Sequence, residues 1–256
     1  MRKYDKVPAT SGQVGEIAGA LIGEMNFSKD EAKVIIGKMG AFRKSARQFY
    51  SRFRINTADF SSDSSDLLRW EGVYGKLFGL QQKPDFSTLR IPEKPQGVGL
   101  VRLVVVACEI LGWTGDHHGP LQGIQKALKE HFACWQYERD LDKSIPTNNR
   151  DPKNGSYALW VKDVCEADEE FANKSEDDLT AEHQIGITAL ERQLMEADVF
   201  FERGKHLDQQ NVTMCLGSRF CGGLVPGALW GDDGFSVDWF IPALRSQGLR
   251  SRRVWA

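Results

Sequence analysis

Three histidines are the side chains best suited to catalysis or metal binding. His117 and His118 follow an apolar strand pattern at residues 100–108, which is where open α/β sheets place ligand sites. His206 precedes the C-terminal segment, in which Cys215 and Cys221 could complete a zinc site. Adjacent histidines usually point apart and no C-x-x-C pair is present, so a solvated turn and buried thiols are favoured. We therefore expect no bound metal.

Lysine and arginine are concentrated between residues 33 and 54, where the chain contains no Asp or Glu. Treated as one helix, this segment has an apolar stripe, and its cations fall to one side of that stripe. A basic amphipathic helix of this kind can lie against phosphates, whereas a solvated face that is neutralised elsewhere in the fold is the alternative. The cations on this side are Lys33, Arg43, Lys44, Arg47 and Arg54.

The C-terminal segment, residues 211–256, combines arginines with aromatic residues. Its Gly-Gly, Gly-Asp-Asp-Gly and Pro-Ala turns predict short strands in an antiparallel β-meander. Interleaved arginines and rings suit stacking on unpaired bases and contact with phosphates. Alternatively the rings are core and the arginines pair with the acidic residues 155–208, which the pattern slightly favours for this tail. The arginines that we predict to contact nucleic acid are Arg250, Arg252 and Arg253, accompanied by Arg219, Arg245, Trp230, Phe235, Trp239, Phe240 and Trp255.

Other catalytic patterns are incomplete. Gly217-Ser218-Arg219 lacks the second glycine of a nucleophile elbow, and glycine-rich loops that cradle phosphates are missing. Carboxylates are abundant after residue 162, but we interpret them as acids on solvated helices. We expect no nucleotide cofactor and assign no catalytic residue.

The composition bounds the class of protein. A chain of 256 residues with a formal charge of −2 can form a well-packed core and has no overall preference for polyanions. This average hides a basic N-terminal part and an acidic layer between residues 155 and 208. Five scattered cysteines and a start without an apolar h-region predict a cytoplasmic protein. The most apolar run, residues 100–113, is too short to cross a bilayer, so we expect no membrane span.

Hydrophobic periodicity predicts the main elements. Helices are expected at residues 67–78, 121–132, 162–173 and 188–203, with a serine-aspartate loop at 59–66 and a helix-ending Gly204. Strands are expected at 100–108, 134–137 and 156–161. The first is apolar throughout, so we place it centrally in the sheet and join it to 134–137 by a right-handed parallel crossover.

These elements predict an α+β protein. A helical N-terminal unit, residues 1–80, precedes a proline-rich connector, residues 81–99. Residues 100–256 form a mixed β-sheet domain with helices and the C-terminal antiparallel meander.

Several segments also carry a resemblance: RLVVVA, CWQYERDLD, NGSYALWVKDVCEADEE and GITALERQLMEADVFFERGKHLD. Together they resemble a set of hypothetical bacterial open reading frames over roughly residues 70–256. The resemblance implies a bacterial, cytoplasmic protein. It implies no activity and no catalytic residue.

The leading functional hypothesis is a nucleic-acid-associated protein. Its basic helix and arginine-rich tail would contact the phosphates of DNA or RNA, and binding would weaken steeply with salt. A metal-assisted hydrolase that uses His117, His118 or His206 is one alternative. A protein-interaction module is the other.

Overall fold

The computed structural model describes residues 62–86, 89–111 and 119–256. The chain divides between Asp59 and Phe60, and every described residue belongs to the second unit. The α-helices of the described part are α1 Ser62–Phe78, α2 Cys108–Leu111, α3 Pro120–Lys129, α4 Leu141–Ser144, α5 Glu176–Ala181 and α6 Ala189–Arg203. Its strands are β1 Val101–Val106, β2 Cys134–Gln136, β3 Thr147–Asn148, β4 Tyr157–Lys162, β5 Val212–Met214, β6 Ser218–Arg219, β7 Val225–Gly231, β8 Gly234–Phe240, β9 Leu249–Ser251 and β10 Val254–Trp255.

The strands form two main sheets and one short pair. An antiparallel sheet has the order β1-β4-β10, a larger mixed sheet has the order β2-β8-β7-β5-β9, and β3 pairs with β6. The larger sheet draws most of its strands from the end of the chain. The architecture is therefore α+β with a sheet-rich C-terminal part, as the sequence predicts.

The C-terminal segment is antiparallel only at its centre. Strands β7 and β8 form a hairpin, and β5 lies antiparallel to β7. Strand β9 is parallel to β5, however, and β10 joins β4 in the other sheet. The meander prediction is confirmed for β5, β7 and β8. It is wrong for β6, which pairs with β3, for β9, which runs parallel to β5, and for β10, which crosses to the other sheet.

Strand β1 is buried over most of its length, yet it lies at the edge of its sheet rather than at the centre. Helix α1 seals that edge with side chains. Trp70 Nε1 donates to Leu103 O at 2.8 Å, and Tyr74 accepts from Ala107 N at 3.0 Å while donating to Val105 O at 2.9 Å. These bonds occupy backbone groups that a neighbouring strand would otherwise take.

The expected parallel crossover is wrong. Strand β1 pairs with β4 antiparallel, and β2 is parallel to β8 in the larger sheet. An apolar run shows that a strand is buried but carries no information about its partner. Helix α3 between β1 and β2 therefore connects two sheets rather than two neighbouring strands.

Two helix boundaries also differ from expectation. Helix α1 begins at Ser62, so most of the serine-aspartate run is helical. Residues 162–173 contain only a 3-10 turn at Glu169–Phe171. The backbone of these residues instead forms hydrogen bonds with distant segments. Asp168 N donates to Ser251 O and Asp208 N donates to Cys165 O, both at close to 3 Å. Those tertiary bonds replace the helical ladder that the sequence pattern predicted.

Helix α6 is confirmed, and it is buried in the middle of the unit. A capping box between Thr188 and Glu191 begins it, and Gly204 ends it at a φ of 61°. The acids of this helix were expected to face solvent, but Glu191, Glu196 and Asp198 are buried. Their charge must therefore be balanced inside the fold.

In the described part of the proline-rich segment, residues 81–86 and 89–99, the side chains of Phe86, Leu89 and Ile91 pack on the core, so the segment does not simply link two domains. Phe86 is buried, and Pro92 O accepts a hydrogen bond of 2.9 Å from Trp160 Nε1. Helix α1 precedes this segment and β1 follows it, and the two elements pack on each other. Both therefore belong to one unit, and the chain divides at residues 59 and 60. Among the helices of the described ranges, none combines the length and the apolarity that a bilayer crossing requires.

Candidate ligand-binding cleft

An open cleft of about 720 Å³ lies beside the first residues of β4. One wall comes from the proline-rich segment, at residues 90–93, and the other from the loop that follows β3. The residues around it are Arg90, Pro92, Glu93, Asn149, Arg150, Asp151, Asn154, Gly155, Ser156, Tyr157, Ala158 and Ala256. Most of these residues are polar, so the cleft suits a partner rich in hydrogen-bonding groups.

Glu191, at the start of α6, fixes the floor of the cleft. Its carboxylate accepts from Arg150 Nε at 2.7 Å and Arg150 Nη2 at 2.8 Å, and from the Tyr157 hydroxyl at 3.0 Å. It also accepts from Thr188 N within the capping box. Glu191 is fully buried. One carboxylate thus begins a helix and positions two side chains of the cleft.

The charges at this floor are stable to titration. Burial lowers the pKa of Arg150, but its hydrogen bonds to Glu191 and the charge of that residue raise it further, so the net shift is upward. Burial, together with the nearby Glu191, raises the pKa of Tyr157 well above its usual range. Arg150 therefore stays cationic and Tyr157 stays a neutral donor.

The rest of the cleft wall is held by backbone bonds. Asn149 N donates to Gly217 O at 2.7 Å, and the Asp151 carboxylate accepts from Lys153 N at 2.8 Å to begin a 3-10 turn. Gly155 then adopts a φ of 115°, which lets the chain turn into β4. The wall is built before any ligand arrives, which lowers the entropy cost of binding.

Several donors in the cleft remain unused. The side chains of Arg90, Asn149 and Asn154, and the Nη1 group of Arg150, make no hydrogen bond with any residue in the described part of the chain. An asparagine amide can donate and accept at once, and a guanidinium offers a planar pair of donors. Such a set matches peptide groups and carboxylates.

The cleft also contains a sheet edge. Strand β4 pairs with β1 along its whole length, but β10 meets it only at Trp160 and Val161. Residues 157–159 of β4 therefore have no strand partner on that side among the described residues. Tyr157 and Ala158, which line the cleft, belong to this unpaired stretch.

The sequence-predicted arginines do not gather at the cleft. Arg252 is 1% exposed, and its Nη2 donates to Asp208 Oδ1 at 2.6 Å. Arg253 bonds to Gln184 through Nη2 at 2.8 Å and lies over the Phe171 ring. Arg250 Nε donates to Gln247 O at 3.3 Å. A phosphate contact is wrong for Arg252, because its guanidinium does not reach solvent.

Two further arginines of the C-terminal segment, like Arg252, are paired with acids. Arg219 contacts Glu176, and Arg245 makes two hydrogen bonds of 2.6 and 2.7 Å with Asp178. The described residues therefore favour internal neutralisation for Arg219, Arg245 and Arg252. Arg250 and Arg253 bond instead to the amide oxygens of Gln247 and Gln184.

The aromatic residues of the tail do not form a platform with these arginines. Phe235 is buried, Trp230 and Trp255 pack against the main core, and Phe240 packs against a second apolar cluster. Trp239 is exposed on strand β8. Alternation along the strands sends their side chains to opposite faces, so residues close in sequence are separated in space.

His206 has a partner inside the protein. Its Nδ1 lies 2.8 Å from the buried Glu196, and its ring stacks on Trp230 with centroids 3.3 Å apart. The residues 62–86, 89–111 and 119–256 contain no group of three side chains that could hold a metal ion. Cys215 and Cys221 each point to a backbone carbonyl, Thr213 O and Lys143 O, so the zinc combination with His206 is wrong.

Other candidate residues lie outside the described ranges. These residues are Lys33, Arg43, Lys44, Arg47, Arg54, His117 and His118. The phosphate-binding helix and the paired histidines stay predictions of the sequence.

The sequence contains two local patterns near the residues of the cleft. Thr188 and Glu191 have the spacing of a capping box, and the loop Asn148–Arg150 precedes a proline turn. Neither pattern shows that Glu191 reaches Arg150, since 41 residues separate them. Only the fold brings these groups together.

Comparison of the chain with protein-family models, with curated proteins and with solved structures found no match.

Proposed function

We propose that this protein is a protein-interaction module that holds an extended polypeptide in the cleft as an added strand beside β4. The observation that carries the proposal is the unpaired edge of β4, of which Tyr157 and Ala158 line a cleft of about 720 Å³. Strand addition uses main-chain hydrogen bonds for affinity and side-chain pockets for specificity. The unpaired backbone of Tyr157 and Ala158 offers the first, and the walls of the cleft offer contacts for the second.

The free side chains of the cleft extend that recognition. Asn149 and Asn154 can each bond to an N–H and a C=O of a bound backbone. Arg90, together with the Nη1 group of Arg150, offers donors to an acidic side chain or to a carboxylate. Because Glu191 fixes Arg150 and Tyr157 in advance, little side-chain entropy is lost when the partner binds.

A selection from a displayed library of random peptides tests this function. We expect the purified protein to enrich peptides that bind with micromolar affinity, and Asn149→Ala combined with Asn154→Ala to weaken that affinity about 10-fold, as for two lost hydrogen bonds. Titration calorimetry with a synthetic enriched peptide measures the change. Gln210→Ala, which removes an exposed amide elsewhere, is the matched control.

Methylation of the peptide backbone separates strand addition from side-chain binding. Successive residues of an added strand direct their N–H groups to alternate sides. N-methylation at one alternate set of positions should therefore abolish binding, and methylation at the other set should preserve it. Failure to enrich any peptide, or equal binding to the cleft variant, would show that the cleft has another role.

A nucleic-acid role is the second candidate, and it is supported by the distribution of charge along the chain. Residues 1–59 contain 11 Lys and Arg against 6 Asp and Glu, whereas residues 60–256 contain 22 against 29. Of the tail arginines, Arg219, Arg245 and Arg252 pair with acids of the described part, and Arg250 and Arg253 bond to amide oxygens there. Phosphate contacts would therefore fall to Lys33, Arg43, Lys44, Arg47 and Arg54 in the basic segment.

A gel-shift series at increasing salt tests this second candidate. Reversing Arg43, Lys44 and Arg47 to Glu should abolish binding of a DNA or RNA duplex at low salt, because each cation releases about one counterion. Reversing three cations on residues 60–256, Lys129, Lys143 and Lys205, is the control. Binding that survives the first set of reversals would contradict the proposal.

A cytoplasmic location is part of the same proposal. All five cysteines are free thiols, as a reducing compartment would keep them. Labelling of unfolded protein from native extracts with a thiol reagent would test it, and five modified cysteines are expected.

A further inference from the structure

Strand β4 lies between the two walls of the cleft, and its side chains alternate between them. Tyr157 points to the wall formed by the loop after β3, because its hydroxyl and Arg150 Nε donate to the same oxygen of Glu191, at 3.0 and 2.7 Å. Trp160 points to the proline-rich wall, because its Nε1 donates to Pro92 O at 2.9 Å. The two faces of the strand therefore belong to different walls.

An added strand would continue this alternation. Ala158 lies two residues from Trp160 in an unbroken register with β1, so its side chain shares the Trp160 face. Residues directly opposite each other on neighbouring strands have Cβ atoms about 5 Å apart and point to the same face of the sheet. A partner residue opposite Tyr157 would therefore lie beside Arg150. The next partner residue, opposite Ala158, would lie at the proline-rich wall.

Arg150 is prepared for an acidic group at the first of these two positions. Its side chain is only 16% exposed, and Glu191 holds its Nε and Nη2 groups. Its Nη1 group lacks a hydrogen-bond partner in the described part of the chain. A guanidinium that is fixed in this way and retains a free donor bonds to a carboxylate more strongly than to a neutral amide.

The acids that line the cleft do not occupy Arg150. The Asp151 carboxylate accepts from Lys153 N at 2.8 Å and lies 4.0 Å from Lys153 Nζ. Glu93 belongs to the opposite wall and is exposed to solvent, where its charge is screened. An acidic partner residue is therefore favoured beside Arg150 and not at the proline-rich wall.

The position at the proline-rich wall suits an apolar side chain. Ala158 contributes only a methyl group to its face, and Pro92 gives the wall an apolar surface. A large apolar residue opposite Ala158 would cover both and remove that surface from water.

We infer that the partner strand carries Asp or Glu opposite Tyr157 and a large apolar residue next to it, opposite Ala158. This inference rests on the proposed peptide-binding function and names the class of partner. The carboxylate of the acidic residue accepts from Arg150 Nη1, and the apolar residue packs on Pro92. The two residues are neighbours in the partner sequence, so the cleft recognises an acidic-apolar pair.

Displayed random peptides are the probe, and the enriched sequences should share an acidic residue next to a large apolar one. A synthetic enriched peptide with an amidated C-terminus is then titrated into the full chain. Replacing its acidic residue by the matching amide should weaken binding about 10-fold, as for one lost charge-assisted hydrogen bond. Moving the acidic residue by one position should weaken binding as much, because alternation then turns it to the other wall.

Arg150→Lys assigns the acidic preference to Arg150. Lysine keeps the positive charge beside Glu191 but has a single amino group, which Glu191 occupies. The acidic peptide and its amide should therefore bind this variant equally. Arg245→Ala, which removes an exposed arginine outside the cleft, is the control and should retain the full difference. Urea unfolding shows whether both variants fold, and the two peptide changes decide the question on the unchanged protein if Arg150→Lys does not.

The outcomes separate this inference from the function on which it rests. Enriched peptides without an acidic residue would overturn the inference and leave the peptide-binding function standing. Equal binding of the acidic peptide and its amide would do the same, as would a loss of binding caused by C-terminal amidation alone. If no peptide is enriched, the proposed function fails and the acidic-apolar preference fails with it.

Discussion

The buried arginine network and the cleft use the same kind of ion pair for different ends. The network consists of Arg192, Arg252 and Asp208. All three guanidinium nitrogens of Arg252 donate hydrogen bonds, and the Asp208 carboxylate accepts from Arg192 Nε at 2.8 Å and from Arg252 Nη2 at 2.6 Å. In the cleft, Arg150 also meets a buried carboxylate, yet its Nη1 stays free. Arg192 Nη2, in the network, also has no partner among the described residues, but it is buried. An arginine is thus available for a ligand when it has an unused donor and also lines a cleft, and the number of arginines in a segment does not reveal this.

Asp208→Asn should produce the largest effect of the changes that test this comparison. It leaves the buried guanidiniums of Arg192 and Arg252 without their shared negative charge, which costs about 3–5 kcal/mol for a broken buried pair. Urea unfolding followed by tryptophan fluorescence measures the loss. An unchanged midpoint would mean that the network contributes nothing to stability.

The pH dependence of that loss has a definite sign. Burial raises the pKa of Asp208, but Arg252 and Arg192 outweigh burial and lower it overall. A carboxyl with a lowered folded pKa stabilises the fold above its unfolded pKa, about 3.9, and loses that contribution as pH falls further. The difference in the free energy of unfolding between the unchanged protein and Asp208→Asn should therefore be largest at pH 7 and become smaller below about pH 4.

Glu191→Gln should have the next largest effect, on the cleft side of the comparison. The change removes the charge that balances Arg150 and weakens the capping box with Thr188, at a cost of about 2–3 kcal/mol. It should also weaken the binding of an enriched peptide, because Arg150 and Tyr157 lose the hydrogen bonds that fix their positions. Asp151→Asn, on the same wall but outside this ion pair, is the control, and an equal loss there would contradict the assignment to Glu191.

Asp168→Asn should change stability in the opposite direction. Asp168 is buried, but only Oδ2 has a partner, Arg253 N at 2.8 Å, while Oδ1 has none. Burial raises its pKa, so the charged form costs stability above the folded pKa and the cost disappears as pH falls below the unfolded value. We expect the variant to be about 1 kcal/mol more stable at pH 7. Urea midpoints at pH 7 and pH 4 provide the test, and destabilisation at pH 7 would refute it.

Arg245→Ala should have the smallest effect. Its pair with Asp178 has good geometry but is exposed to solvent, where ion pairs contribute little. The urea midpoint should not change within error. A clear shift would mean that exposed and buried arginines of this chain cannot be distinguished by their solvent exposure.

Element positions could be predicted from the sequence to a large extent, because helices and strands depend on local patterns. The helix at residues 189–203, the left-handed Gly204 that ends it and the apolar strand at residues 101–106 all appear where the sequence pattern places them. Strand partners could not be predicted. The pairing of β1 with β4 spans more than 50 residues and leaves no local trace in the sequence.

The candidate cleft was beyond prediction for the same reason. Arg150 and Glu191 look like ordinary surface charges in the sequence, and only tertiary structure shows that one is fixed by the other. The opposite error concerns Arg252, which was predicted to contact nucleic acid but is buried. Arg252 lies in an arginine-rich tail typical of phosphate binding, but a single buried acid, Asp208, holds it inside the fold.

The sealing of β1 by α1 has a consequence for fragments of this protein. A chain that starts after Phe78 would retain the valine-rich strand but lose the Trp70 and Tyr74 side chains that occupy its edge. An unprotected apolar strand of this kind recruits strands from other molecules and aggregates. Residues 62–78 thus act as a built-in guard against self-association, and any soluble fragment should begin before Ser62.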